Sequence, residues 1–418
     1  MSLKWKGGLS LIIVFFSSAN IPVYAEGLAD NIDTTLSLRG DVWSGSRHLD
    51  DIRGVGRISA WGQFKLKTES LGQWVGGGWV ADQGHRDLEK PRSRLRELYW
   101  RLDYEPFELK VGRQLVVWGR ADGLNPTDNL SQRDFTLLVP EDGDQRYGND
   151  AAQLSINTAH GQFSGLIFAH GASYTLPLQP LANVNYVVDT SPTRPQWAFK
   201  WEANGEGVDG SLSYFRGVDP MPDLSIAGFG QDGLTVSVQS HPVQILGADI
   251  SLTQGDAVWR AEAAWMETES EGAADFVHKK RQAWLVGGSE WTLPNATTFG
   301  VQGSLQHVLD FRDPDSLANP IESEIAWRQA ATSHQTAATQ VGMTWRLASR
   351  WLNDTLMAET SGVVVWPARD GVWRSKLNYA LNDHWNLQTG ADYYFGPDHS
   401  FFGQLSKNSL VYVQLRLS

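Results

Sequence analysis

Charged residues of both signs recur at two-residue spacing along this chain: Arg101 with Asp103, Lys200 with Glu202, Arg260 with Glu262, Arg374 with Lys376. In an extended segment, residues i and i+2 share one face about 7 Å apart. Such pairs can neutralise each other, answer partners on a neighbouring strand, or line a path for a charged or polar solute. The full set with this parity is Arg39, Asp41, Arg57, Lys65, Glu97, Arg101, Asp103, Glu108, Lys110, Lys200, Glu202, Arg260, Glu262, Glu290, Arg346, Glu359, Arg374, Lys376, Asp392 and Arg416. The signs are similar in number, which fits either a self-neutralising ladder or a selectivity lining. Catalytic chemistry fits less well. His48, His85, His170, His278, His334 and His399 are scattered without the spacing of a nucleophile and base. No His/Asp/Glu cluster has metal-ligand spacing and no Gly-rich phosphate motif precedes a helix, so neither enzymatic activity, cofactor nor metal is expected.

The elements that carry these charges are strands. Leu98-Tyr99-Trp100-Arg101-Leu102-Asp103-Tyr104 alternates apolar with polar or charged residues, and the pattern returns at 36–42, 197–203, 258–268, 385–395 and 411–417. Period two is the strand signature. We expect eighteen strands, near 33–44, 53–67, 71–82, 93–104, 106–120, 150–158, 161–169, 196–204, 207–217, 233–253, 257–268, 279–292, 296–309, 338–352, 355–368, 371–382, 384–396 and 408–418. His241-Pro242 falls inside the tenth, because the parity of Leu234, Val236 and Val238 continues unbroken through Leu246, Ala248, Ile250 and Leu252. The connections then sort. Tight turns such as Glu105-Pro106, His160-Gly161, Pro294-Asn295, Asn353-Asp354 and Asn382-Asp383 fall on one side, with both chain ends. The long connections 120–149, 169–195, 218–232, 310–337 and 396–407 fall on the other.

An even number of alternating strands with short turns on one side and long loops on the other predicts an all-β fold, an antiparallel transmembrane β-barrel of the outer membrane. The short turns are periplasmic and the long loops extracellular. Nineteen Trp suit aromatic girdles, and a mean hydropathy of -0.32 is what strands apolar on one face produce. A soluble sandwich or propeller is the structural rival, but its alternating face would be richer in small aliphatics. Lipid-facing positions are Leu98, Trp100, Leu102; Trp197, Phe199, Trp201; Trp259, Trp265; Val341, Met343, Trp345, Leu347; Trp366, Trp373 and Leu377. Trp61, Tyr99, Trp284 and Tyr394 have the inward parity.

Lys4 and Lys6, the apolar run Leu9–Phe16 and Val23-Tyr24-Ala25 predict a signal peptide over 1–25, leaving 26–418 as the barrel. The absence of Cys rules out a lipidated cysteine anchor, disulfides and thiolate metal sites. A net charge of -12 argues against nucleic acid. The expected partners are outer-membrane lipid, lipopolysaccharide, the barrel-assembly machinery and a transported solute. No N-terminal plug is expected, so occlusion must come from loops. The connection 120–149 mixes apolar Leu124, Leu130, Phe135, Leu137, Leu138 and Val139 with Asp128, Arg133, Asp134, Glu141 and Arg146, and such a segment gains more from folding into the barrel than from standing in water.

One stretch carries a resemblance: Arg96-Glu97-Leu98-Tyr99, Val111-Gly112-Arg113-Gln114, Trp118-Gly119 and Asn125-Pro126-Thr127-Asp128. It resembles Gram-negative outer-membrane barrels described as domain-of-unknown-function proteins and, more distantly, alginate-export channels, which share the Gly-Arg-Gln strand. The resemblance implies a channel whose Arg113-bearing strand leads into a loop folded over or into the lumen, and we expect Arg113 to line the pore. Two departures stand out. Carboxylates interleave the basic residues where an exporter of a polyanion is strongly basic, and the chain closes on Leu417-Ser418 rather than an aromatic residue, leaving Tyr412 as the assembly signal. The reading is a channel for passive or facilitated diffusion of small polar solutes. The alternatives are an exopolysaccharide secretion conduit and a channel for hydrophobic compounds.

Overall fold

The computed structural model describes residues 31–45, 53–68, 71–82, 92–121, 123–169, 173–178, 181–189, 195–231 and 233–418. The signal peptide expected over 1–25 lies outside these residues, as do His48, His85 and His170. In chain order the strands are β1 (Ile32–Gly45), β2 (Gly54–Thr68), β3 (Gly72–Asp82), β4 (Arg92–Tyr104), β5 (Phe107–Gln114), β6 (Gln132–Arg133), β7 (Arg146–Tyr147), β8 (Asn149–Thr158) and β9 (Gly161–Phe168). Next come β10 (Val184–Asp189), β11 (Gln196–Asn204), β12 (Val208–Val218), β13 (Asp223–Gly230), β14 (Gly233–Gln239), β15 (Pro242–Gln254), β16 (Ala257–Thr268) and β17 (Gln282–Leu293). The last are β18 (Thr297–Val308), β19 (Thr339–Trp351), β20 (Leu356–Trp366), β21 (Asp370–Ala380), β22 (Trp385–Phe395) and β23 (Leu410–Leu417), and the α-helix α1 (Pro320–Thr332) lies between β18 and β19.

Eighteen of these strands form one antiparallel sheet, and β23 pairs back onto β1, with Leu38 opposite Leu417 and Gly45 opposite Leu410. Closure removes every sheet edge, the only way strands can cross hydrocarbon with all backbone groups paired. The outer face is apolar: Leu36, Ile58, Ile167 and Trp373 point away from the lumen, and Ile58 is 70% exposed. Trp74, Trp259, Trp351 and Trp385 sit near the short-turn ends and Trp197, Trp265 and Trp366 near the opposite ends, as girdles at two interfaces. This apolar exterior on a closed barrel places the chain in an outer membrane.

Two strands differ from the sequence reading. The expected strand 233–253 is two elements. β14 leaves the wall and joins β10 and β13 in a separate three-stranded sheet, whereas the wall resumes at Pro242. Val236 and Val238 bury against Leu224 and Ile325 rather than facing lipid. Both segments are amphipathic with the same parity, so alternation alone could not reveal the break, and Pro242 can open a strand because its first residue needs no amide donor. The expected strand 106–120 also ends early. β5 stops at Gln114, and the chain then turns inward and buries Trp118.

A third difference lies inside β4. Glu97 pairs with Gly77 and Leu95 with Gly78, so Arg96 is an extra residue. This bulge reverses parity: Arg92, Arg94 and Arg96 reach inward before it, and Glu97, Tyr99, Arg101 and Asp103 have the inward parity after it.

The small sheet and α1 form a cap on the long-loop side. Asn319 caps α1 by accepting from the Ile321 amide at 3.0 Å, and Pro320 sits at the first helical position. Gln329 on α1 accepts from the Leu224 backbone amide at 2.5 Å and donates to Asp223.

Candidate functional site: a clasped segment inside the barrel

The segment 115–148 runs through the lumen and is fastened to the wall at three places. The first is apolar. Trp118 and Leu130 pack with Leu166, Phe168, Phe215, Val243, Ile245 and Met266, an inward-facing patch on one side of the barrel. Leu137 and Val139 pack with Trp61, Trp79 and Ala81 on another. Gly247 on the wall makes room, since a Cβ there would stand 3.0 Å from the Thr127 methyl.

The second fastening is an anchor at Arg120. Its guanidinium donates to Asp249 at 2.6 Å and to Glu202 at 2.9 Å. Glu262 accepts from the backbone amides of Arg120 and Ala121 and from the Thr127 hydroxyl, the last at 3.1 Å. Asn125 accepts from the Thr127 amide at 3.1 Å and donates to the Trp118 carbonyl at 3.2 Å, so Asn125-Pro126-Thr127 is a local turn that holds the anchor in shape.

The third is a clasp at the segment's tip. Asp142 receives both oxygens' worth of hydrogen bonds from Arg374, at 2.5 and 2.6 Å; Lys376 donates to Glu141 at 3.0 Å; Arg39 donates to Asp144 at 2.6 Å. Arg96 braces the tip from the bulged strand, donating to the backbone carbonyls of Gly143 at 2.7 Å and Arg146 at 3.0 Å. Arg92 reaches Asp134 at 2.8 Å. Within the segment, Asp128 takes Arg133 at 3.2 Å and Arg146 at 2.5 Å.

From the clasp an alternating chain of charge runs around the wall. Lys376 also meets Glu359 at 3.2 Å, Glu359 meets Arg346 at 2.7 Å, Arg346 meets Glu290 at 3.4 Å, and Arg260 lies 3.9 Å from Glu290. Arg374 lies 3.8 Å from Asp392. These pairs link adjacent strands or strands one removed, so the inward charges form a ladder around the barrel rather than a bare charged surface.

Two spaces adjoin the clasp. A chamber of about 550 Å³ touches Asp142 and Arg374 and reaches up to the cap. A vestibule of about 510 Å³ touches Glu141, Asp144 and Arg39 and reaches the short-turn end at Asn382 and Ser418. The tip of the segment stands between them.

Of the residues singled out from the sequence, Arg39, Asp128, Arg133, Asp134, Glu141, Arg146, Arg260, Glu262, Arg346, Arg374, Lys376 and Asp392 come together in these clusters. Glu97 lies opposite Gly77 on the inward face. Arg101, Asp103 and Lys110 form a separate group with Glu108 at the short-turn end, where Arg101 meets Glu108 at 2.6 Å. Arg57 is sealed against Asp41 inside the wall. Arg113 is a correction. It pairs with Leu98, which faces lipid, and it donates to Asp150 on the outer face at 2.9 Å. Gly112 and Gln114 take the inward parity instead, so Arg113 does not line the lumen. Sequence reasoning missed Arg92, Arg94, Arg96, Arg120 and Asp249. Only Arg120 and Asp249 carried a signal, the first at the mouth of the long connection and the second alternating with Ala248 and Ile250. Among the described residues, no group of three or more His, Asp and Glu could hold a metal.

The sequence matches no protein-family model and no curated protein. The fold, however, is similar to solved outer-membrane porins. OccAB1 of Acinetobacter baumannii aligns with a TM-score of 0.56 at 8% identity, covering 93% of this chain and 96% of that one. A BenF-like porin of Pseudomonas fluorescens Pf-5 gives 0.55 at 12%, covering 93% and 98%. OccK5 (OpdH) of Pseudomonas aeruginosa gives 0.54 at 11%, covering 93% and 97%. The likeness gives no support to a relation with alginate-export channels. It establishes the architecture: a closed eighteen-stranded antiparallel barrel of the outer-membrane porin type.

Proposed function

We propose that this chain is a porin-like channel for passive or facilitated diffusion of small polar solutes, and that the clasped tip of the 115–148 segment is its constriction. The observation that carries the reading is the position of Glu141, Asp142 and Asp144, each held by a wall cation, between the upper chamber and the lower vestibule. Paired charges of both signs across a narrow aqueous path suit small polar solutes and do not suit a long polyanion, which would meet carboxylates beside every cation. The acidic balance of the chain favours a modest cation preference at low salt.

The test is conductance of the purified protein in planar bilayers. Replacing 129–141 by a short Gly-Ser linker should raise single-channel conductance several-fold in a barrel that still assembles. Unchanged conductance in a folded deletion would move the constriction into the cap, and the absence of any conductance in the intact protein would overturn the channel reading.

A further inference from the structure

The outer surface of the barrel changes chemistry where its strands meet the long loops. Arg216 on β12 lies between Trp197 on β11 and Gln244 on β15, all three with the lipid-facing parity. It is exposed, and among the described residues it has no hydrogen-bond or ion-pair partner. The nearby carboxylates are taken: Trp265 donates its indole N–H to Glu267 at 2.9 Å, and Arg281 holds Asp310 at 2.6 Å. Tyr214 donates its hydroxyl to the Gln244 side-chain oxygen at 2.7 Å, which leaves the Gln244 NH2 group as a second donor beside Arg216. The Trp197 and Tyr214 rings lie 5.1 Å apart at the same level. A guanidinium near the end of a lipid-facing strand, framed by Trp and Tyr, stands at headgroup depth. Its planar fork matches a phosphate.

Below this band the lipid face of β15 to β18 has an apolar groove of about 580 Å³. Ala248, Ala261, Ala263, Gly287 and Gly303 contribute to its floor. Trp265 and Trp259 stand above and below it on β16, so it lies between the two girdles at hydrocarbon depth. A Cβ on Gly303 would meet no atom within 4 Å, and one on Gly287 none closer than 3.8 Å. Packing of the barrel therefore does not demand glycine at either position, and no side chain of the wall fills the hollow. From Gln244 to Ala248 is four residues along one strand, about 13 Å, so the groove begins where the acyl chain of a lipid held at Arg216 would run.

We propose that this face holds one molecule of lipid A, the phosphorylated multi-acyl anchor of lipopolysaccharide, with a phosphate on Arg216 and Gln244 and an acyl chain in the groove. The long-loop end of the barrel is the extracellular end, which puts the band in the outer leaflet. Arg281 stands three strands further round, about 14 Å from Arg216 at strand spacing. Its pair with Asp310 is exposed on both sides and weak enough to yield to a second phosphate. Lipid A carries a phosphate at each end of its sugar pair, whereas a phospholipid carries one and reaches only one of these cations. The site lies on the outer surface and does not depend on what passes through the lumen.

Bisphosphoryl lipid A is the probe and phosphatidylglycerol, an anionic lipid with a single phosphate, is the comparison. Native mass spectrometry of the full-length protein in detergent, titrated with each lipid, gives the fraction bound. The wild type should take one lipid A, several-fold more tightly than phosphatidylglycerol. Arg216→Gln should weaken lipid A binding roughly ten-fold, the worth of a charge-assisted hydrogen bond. Ala263→Leu combined with Gly303→Leu fills the groove with side chains that suit a lipid face, and should weaken binding several-fold with Arg216 intact. All three positions face lipid, so single-channel conductance and resistance to SDS before boiling should match the wild type and show that the barrel is whole. Equal lipid A binding by the wild type and Arg216→Gln would overturn the proposal. So would phosphatidylglycerol binding as tightly as lipid A, which would make the band a general surface for anionic lipid.

Discussion

Arg374 on β21 donates from a single guanidinium nitrogen, Nη1, to both carboxylate oxygens of Asp142, 232 residues earlier in the chain, at 2.5 and 2.6 Å. One bond of this kind fixes the tip of a thirty-odd-residue segment against the barrel wall, and with Lys376–Glu141 beside it the wall and the segment neutralise each other across the lumen. The clasp is therefore a point where a change on either side has a predictable sign.

Removing the wall half, with Arg374→Ala and Lys376→Ala together, leaves Glu141 and Asp142 uncompensated and should move the reversal potential in a salt gradient towards cations. Removing the segment half, with Glu141→Gln and Asp142→Asn, should move it towards anions. The segment carboxylates are about half exposed, so the segment-side change should cost only about 1 kcal/mol of stability, whereas the wall-side change should cost more because it also takes Lys376 from Glu359 and Arg374 from Asp392. Shifts in the same direction for both variants would show that the clasp does not set selectivity.

Arg120→Ala should loosen the segment from the opposite wall. Asp249, 3% exposed in its side chain, would be left without its guanidinium partner. We expect a noisier open-channel current and earlier thermal unfolding, and Asp249→Asn in the same background should recover part of the thermal loss because it removes the stranded charge.

Arg57 and Asp41 form a pair whose side chains are essentially sealed from solvent, at 2.8 Å, with Gln414 and Trp43 also donating to Asp41. Arg57→Met alone should destabilise the barrel by about 3–5 kcal/mol, because it leaves a buried carboxylate facing a thioether. Urea unfolding of the variant against Arg57→Met/Asp41→Leu checks this, and the double variant should be the more stable of the two.

The cap should respond to pH from both directions. His334 stacks on Phe401 with ring centroids 3.4 Å apart, and burial, helped by the Lys279 charge, lowers its pKa to about 3. An unfolded His titrates near 6.5, so this contribution is complete above that value and is lost as pH falls from about 6.5 towards 3. His241 behaves oppositely. Burial pulls its pKa down, but the Asp223 hydrogen bond and charge, with Glu269 and Asp275, outweigh it and raise the value. Its contribution is complete below the unfolded value and is lost as pH rises through the raised one. The opening equilibrium of α1, obtained from hydrogen exchange after dividing out the pH dependence of the intrinsic amide rate, should rise on acidification by at most about ten-fold per pH unit, one proton's worth, and His334→Gln should flatten that limb. An unchanged acid limb in His334→Gln would assign the effect to another group.

Much of the architecture was legible because alternation is local. A period of two is imposed by the extended backbone itself, so Leu98, Trp100 and Leu102 announce both a strand and its lipid face, and Asn353-Asp354 or Asn382-Asp383 announce the turn that follows. The same locality set the limits. A bulge at Arg96 adds one residue, and no composition distinguishes it from its neighbours, yet it turns Arg92, Arg94 and Arg96 inward while Glu97 and Arg101 stay inward too. Arg113 is the converse case: alternation with inward-facing Glu108 and Lys110 already puts it on the outer face, where the register against Leu98 holds it, so parity there was sufficient and the expectation of a pore-lining role went against it.

By itself, the sequence determined that this chain has eighteen wall strands with charges of both signs on one face, and that the 120–149 connection carries more apolar residues than a loop in water can use. Only the tertiary structure decided that β14 belongs to the cap and not to the wall, and that the segment's carboxylates meet Arg39, Arg374 and Lys376. The physical reason is that face and periodicity follow from backbone geometry residue by residue, whereas the partner of a charge follows from barrel closure and strand register, which bring residues more than two hundred positions apart within hydrogen-bonding distance.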